Sequence, residues 1–153
     1  MCRDRRRNAF TLIEVLIVVI IMAVLAATII PQFSSSTKDA QNSSVKFNLH
    51  TIRSQVELYK VHHLGKMPLL ATFADQMTKN TDVSGTVGTG TAFPLGPYFQ
   101  GAVPNNPYSN LNTLKATDAT TDAVAKAGAD GSAGWLYNAG TGDFFPGNAE
   151  YYP

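Results

Sequence analysis

The residues from Phe10 to Ile30 constrain this chain more than any others, because all of them are apolar or small except Thr11, Glu14 and Thr28. About 20 such residues cross a bilayer as a helix. Before them stands a leader, residues 1–9, with Arg3, Arg5, Arg6 and Arg7; after them the chain turns polar at Gln32. About 14 Leu, Ile, Val and Phe side chains, at roughly −0.3 to −0.6 kcal/mol each, outweigh one acid at about +3 kcal/mol, so the segment inserts. A carboxylate retained in such a segment is a functional candidate and asks for a partner. Arginines immediately before the run read as positive-inside flanks, which keeps the N-terminus cytoplasmic and puts everything after Ile30 across the membrane.

Cleavage between Ala9 and Phe10 would create a terminal amine four residues before Glu14. Helices lying side by side, offset along their axes, let each Glu14 meet a neighbour's amine, and that is a rule for assembly. The order Phe10-Thr11-Leu12-Ile13-Glu14-Val15 after a short basic leader resembles the class III signal of type IV pilins and of the pseudopilins of type II secretion. The resemblance implies that a membrane-embedded prepilin peptidase cuts before Phe10 and that the new amine is N-methylated. It also implies that Phe10, Thr11 and Glu14 form the assembly site. In one respect the chain departs from the pattern: the family's residue before the cut is most often glycine, and here it is Ala9.

An ordinary signal peptide is the competing reading of the same run. Val24-Leu25-Ala26 suits signal peptidase I, with a cut before Ala27 that would release a secreted binding domain. A glutamate inside the apolar region argues against it.

Less the leader and the apolar run, 153 residues leave about 120, enough for one modest core. Removing the leader's four of 12 basic residues and one of 11 acids leaves eight against ten, so the mature chain has no basic face to offer nucleic acid. The single cysteine, Cys2, lies in the leader, and a processed chain forms no disulfide. That excludes the C-terminal disulfide loop of many type IV pilins and turns the resemblance towards pseudopilins.

Pro31 removes a helix hydrogen bond and predicts a kink or a local opening. Helical periodicity then resumes, with Phe33, Thr37, Ala40, Val45, Leu49, Ile52, Val56, Tyr59 and His63 on one stripe and Lys38, Asp39, Lys46, Ser54 and Lys60 opposite. Gly65 and Pro68 stop it. A helix from Phe10 to Leu64 spans roughly 80 Å, more than a head of this size can bury. Its second half, within residues 31–65, can cover a small sheet, while its first half needs lipid or other subunits.

Residues 66–153 break into short pieces, a small head with loops. Leu69 to Met77 holds a short helix, Asn80 to Ala92 reads as a flexible loop, and Pro104-Asn105-Asn106-Pro107 makes a turn. Leu111 to Gly134 is too poor in apolar residues for a core and reads as an exposed loop, with a helical turn around Asp122 to Lys126. Trp135-Leu136-Tyr137 and Phe144-Phe145 flank Asn138 to Gly142 as a hairpin. The predicted fold is α+β: a long N-terminal helix packed on a small antiparallel sheet. Gly96-Pro97-Tyr98 with the Pro104 turn, and Gly134 to Asn138 with Thr141-Gly142, are similar to the segments after the long helix in major, G-type pseudopilins.

His50, His62 and His63 invite a metal reading, but neighbours in sequence face different sides of a helix and no carboxylate or cysteine completes a set. They are expected to be solvated or at the edge of the stripe. Major pseudopilins often bind calcium in a C-terminal loop, and Asp130 and Asp143 are the weak candidates here, beside Asp118 and Asp122. No nucleophile elbow and no phosphate-cradling glycine loop is present, so no enzymatic activity and no other cofactor is expected. Tyr98, Phe99, Tyr151 and Tyr152 read as core or rim residues.

The resemblance implies a filament subunit of a type II secretion system in the bacterial inner membrane, single-pass, with a periplasmic or extracellular head. Its partners would be further copies of itself, other pseudopilins, the prepilin peptidase, an inner-membrane platform protein, the assembly ATPase and the bilayer. A type IV pilus or competence pilin subunit is the alternative within the same resemblance.

Overall fold

A computed structural model describes residues 11–152. The chain divides into two compact units, residues 1–40 and 41–153. Helix α1, Leu12–His62, begins in the first and ends in the second. It runs through position 31 as continuous helix, so the proline does not end it. In the first unit the large apolar side chains from Leu12 to Ile30 are between 46% and 83% exposed, so this surface is not covered by the described residues.

In the second unit the periodicity of the sequence is met side chain for side chain. Val45, Leu49, Ile52, Val56 and Tyr59 of α1 are buried, and they pack with Phe73, Met77, Tyr98, Phe99, Val103, Trp135, Tyr137 and Phe144. A single-turn 3-10 helix, Leu70–Thr72, leads into α2, Phe73–Thr78, which delivers Phe73 and Met77 to this core. Phe73, Tyr137 and Phe144 meet as an aromatic trio with ring centroids 4.7 to 5.3 Å apart, the spacing at which tilted rings attract.

The sheet has three strands, β1 Leu114–Ala116, β2 Asp130–Tyr137 and β3 Phe144–Asn148, in that order. β2 and β3 form the expected antiparallel hairpin, with Tyr137 opposite Phe144 and Leu136 opposite Phe145. β1 pairs with β2 in parallel, Leu114 opposite Trp135, so the sheet is mixed.

The stretch read as an exposed loop, Leu111 to Gly134, is more structured than its composition suggests. It contains β1 and α3, Asp122–Gly128, and it supplies Ala119, Ala125 and Ala129 to a second cluster with Leu136, Phe145 and Tyr152. Alternation along β2 puts Trp135 and Tyr137 on the α1 side and Leu136 on the other, and small alanines suffice to cover that other face at short range.

Asn80 to Ala92 is likewise tied down. Thr81 is buried and bridges to both Val87 and Leu95, while the Asp82 carboxylate accepts from Ser84 Oγ at 2.7 Å and from Thr86 N at 2.8 Å. The turn at Pro104 to Pro107 turns one side chain inward. Asn106 is fully buried; its Nδ2 donates to Gly134 O at 2.7 Å and to Asn148 Oδ1 at 2.9 Å, and its Oδ1 accepts from Tyr108 N at 3.0 Å. One amide thus links the turn to both strands of the hairpin.

Candidate functional site

At the start of α1, Thr11 and Glu14 form a capping box. The first helical N–H groups lack intrahelical acceptors, and a Thr with an acid three residues on supplies them reciprocally. Here Glu14 Oε2 accepts from Thr11 N and from Thr11 Oγ1, both at 2.9 Å, and Glu14 N donates to Thr11 Oγ1 at 3.3 Å. The acid at the N-terminal end also complements the helix dipole. Both internal bonds fall on one carboxylate oxygen. Oε1 takes no bond from Thr11, so the box occupies one oxygen of the carboxylate.

Ala9 and Phe10, the expected cleavage pair, lie outside the described residues. Among the described residues, a hydroxyl and a backbone N–H of Thr11 reach Glu14, neither of them charged. α1 is, among the described residues, the one helix long and apolar enough to cross a membrane. This end of the chain can therefore do two things chemically: enter an apolar phase and hold a capped carboxylate there.

The calcium candidates do not come together. Asp130 opens β2 opposite Asn148, whereas Asp143 precedes Phe144 at the other end of the hairpin, on the order of 20 Å away along the strand. Asp130 is already committed: its Oδ2 accepts from Lys115 Nζ at 2.6 Å and its Oδ1 from Ser132 N and Oγ. These bonds, the lysine's foremost, hold its carboxyl well below the usual carboxylate range. A divalent ion at Asp130 would have to displace an ammonium group. Asp143 accepts from Thr141 Oγ1 at 2.6 Å. Asp118 and Asp122 are both exposed, and among the described residues no three His, Cys, Asp or Glu side chains gather as a metal would require. The Asp130 and Asp143 pair does not fit a calcium ion.

The three histidines are separated by the fold. His50 is exposed, and His62 Nδ1 lies 3.0 Å from Tyr98 Oη. His63 corrects the expectation of a solvated or stripe-edge ring, being fully buried. Its Nδ1 donates to Tyr59 O at 2.8 Å, its Nε2 lies 3.0 Å from Thr81 Oγ1, and its ring stacks on Tyr59 at 3.7 Å between centroids. This is a structural role, closing the C-terminal end of α1 over the core. Tyr98, Phe99 and Tyr152 are buried and Tyr151 is half-buried, as expected of core and rim residues.

Comparison with known proteins bears on the same N-terminus. Residues 4–30 match the family model described as the prokaryotic N-terminal methylation motif. The chain is similar to the type II secretion system core protein G of Pseudomonas aeruginosa, 35% identical over 57 residues, which is 37% of this chain and 40% of that protein. It is also similar to the protein of the same description from Dickeya chrysanthemi, 29% identical over 58 residues, 38% of each. The matched stretch thus spans about two fifths of the length of these relatives. No solved structure matches the chain.

Proposed function

We propose that this chain is a major, G-type pseudopilin: a single-pass membrane protein that serves as a structural filament subunit of a type II secretion system and helps to drive protein export. The observation that carries the reading is the methylation motif over residues 4–30, which ends where the unpartnered apolar part of α1 ends. An α+β head with a long N-terminal helix and a small sheet accords with it. The similarity to two type II secretion core proteins G favours this branch over a pilus or competence subunit.

In this reading the prepilin peptidase cuts between Ala9 and Phe10 and the Phe10 amine is methylated. The Thr11 cap holds Glu14 in the monomer through Oε2. During assembly Oε1 meets the Phe10 amine of a neighbouring subunit, a charge pair that is strong in an apolar surrounding. The leader arginines orient the N-terminus to the cytoplasm and the head to the periplasm. The platform protein and the assembly ATPase would act on the subunit from the membrane and cytoplasmic sides, and further copies and other pseudopilins would be its filament neighbours. No step in this role needs catalysis by the chain.

Intact-mass and N-terminal peptide analysis of the protein from its native membrane tests the reading. The expected mature start is N-methylated Phe10. A start at Ala27 would establish the secreted-domain alternative in its place.

A further inference from the structure

In the head, the side of α1 that faces away from the core carries large apolar residues where a solvated helix face is expected to be polar. Phe47, Leu58 and Val61 stand 70%, 42% and 73% exposed. With Thr51 and Ser54 they form a line at alternating steps of four and three. Each member stands two residues on from one of the buried stripe Val45, Leu49, Ile52, Val56 and Tyr59, and so about 200° round the helix from it. Both hydroxyls on the line are turned back on the helix: Thr51 Oγ1 donates to Phe47 O at 3.0 Å and Ser54 Oγ to His50 O at 2.8 Å. Their donors are spent, which leaves two small side chains in an otherwise apolar row.

Steps of four and three are the spacing of a coiled-coil seam, with Phe47, Ser54 and Val61 at position d and Thr51 and Leu58 at position a. On that lettering His50 and Glu57 flank the seam at g, and Gln55 and His62 at e. Flanking side chains set the partner and the orientation of such a pair. In a parallel, in-register pair of this helix with itself, g meets the e residue five positions on, so Glu57 faces His62 and His50 faces Gln55. An antiparallel pair would set Glu57 against Glu57. The groups are placed to respond: Glu57 and His62 are both exposed, and His62 Nδ1 lies 3.0 Å from Tyr98 Oη, which leaves Nε2 to reach a neighbour's carboxylate. Within its own chain Glu57 has Lys60 at 3.7 Å, an exposed pair of the kind worth little in water.

We propose that residues 47–61 of α1 form a parallel, in-register helix pair with the same residues of a second copy of this chain, Phe47, Leu58 and Val61 filling the seam and Glu57 of each copy meeting His62 of the other. The inference rests on the reading of the chain as a single-pass membrane protein, which sets all copies parallel. About two heptads with three large apolar residues do not hold free heads together. Anchoring in one membrane raises the effective concentration and lets so short a seam close.

The test is oxidative cross-linking of the full chain in bacterial inner-membrane vesicles, made from a host without secretion machinery, in a Cys2→Ser background so that an introduced cysteine is the only one. A d-position side chain faces its own counterpart across an in-register pair, within reach of a disulfide. Ser54→Cys should therefore give a disulfide dimer at least tenfold more abundant than Lys46→Cys, which is exposed on the same helix but off the seam. Adding Phe47→Asp or Val61→Asp, each at an exposed position, should remove that excess. Glu57→Lys should reduce it at least threefold, and the double variant Glu57→Lys, His62→Glu should restore it by exchanging the two flanks. A soluble product starting at Ala27 would defeat the single-pass reading and the pair with it. An inserted chain in which Ser54→Cys cross-links no more than Lys46→Cys, or in which Phe47→Asp and Val61→Asp change nothing, would overturn the pair alone. Phe47→Cys copies that link to Ser54→Cys copies more than Ser54→Cys links to itself would mean a staggered contact and likewise overturn the in-register pair.

Discussion

Thr11 supplies two donors to one oxygen of the Glu14 carboxylate, which lowers the cost of keeping an acid in the apolar run. Insertion and assembly should therefore respond differently to its loss. Glu14→Val removes an insertion penalty of up to about 3 kcal/mol and, under the proposed assembly through Glu14, also removes the charge partner for a neighbour's amine. The expected outcome is a variant that is made and inserted but absent from filaments when it is the only copy. A shear or cross-linking assay beside a membrane-fractionation blot checks this, and normal filament yield would return Glu14 to the role of a capping acid. Asp130 makes a separate prediction, in the head. Its carboxyl sits well below the usual range through Lys115 and Ser132, so its contribution to stability is present at neutral pH and fades as the pH falls below about 4. The difference between the thermal melts of wild type and Asp130→Asn should be largest at pH 7 and narrow progressively as the pH falls from about 4 towards 2; a gap of the same size at pH 7 and pH 2 would mean the carboxylate's charge is not what Lys115 answers.

Where strand β2 meets the turn before β1, backbone runs against backbone with no room for side chains. A Cβ on Gly134 would stand 2.0 Å from Leu111 O, and one on Gly147 would stand 2.1 Å from Ala133 O. The Asn106 amide spans the same junction. Asn106→Ala leaves Gly134 O, Asn148 Oδ1 and Tyr108 N short of partners, beside an Asn148 Nδ2 that already has none. The cost is about 1–3 kcal/mol for each buried group left unpaired. Urea unfolding of the full chain in micelles should show a loss of at least about 2 kcal/mol for Asn106→Ala. Gly134→Ala and Gly147→Ala should fail to give a folded head. A shift under 0.5 kcal/mol for the asparagine variant would mean that water replaces the amide.

On the scale of the whole molecule, the two units differ in what they need. Residues 41–153 contain both hydrophobic clusters, whereas the large apolar side chains of residues 12–30 stand exposed and belong to neither cluster. Removing everything up to Pro31 should leave a folded, soluble monomer, because it takes away exposed apolar surface and no part of either cluster. Circular dichroism with thermal melting and light scattering would measure this. Loss of a cooperative melt would show that the head depends on the membrane segment, and aggregation of a folded head would show that another apolar face drives association.

The helix long and apolar enough to cross a membrane, the acid near its start, the buried stripe from Val45 to Tyr59, the short helix that carries Met77 and the hairpin of Trp135 to Phe145 were all legible in the order of residues, because each rests on a local pattern. Spacing of three and four puts side chains on one helix face, alternation puts them on opposite faces of a strand, and a run of apolar residues needs no context to prefer lipid. The capping box is also local, Thr11 three residues before Glu14, and its T-x-x-E spacing was there to be read. What only tertiary structure decided lies where sequence-distant groups meet. The parallel pairing of β1, the burial of His63 against Thr81, the second cluster built on Ala119, Ala125 and Ala129, and the inward turn of Asn106 leave no periodic trace in the chain. The same holds for the separation of Asp130 from Asp143, since strand register, and not spacing in sequence, sets which carboxylates can share an ion. Small and polar residues are ambiguous in a sequence because their burial depends on whether a partner arrives at hydrogen-bonding or contact distance, and partners 20 to 90 residues away are chosen by the fold.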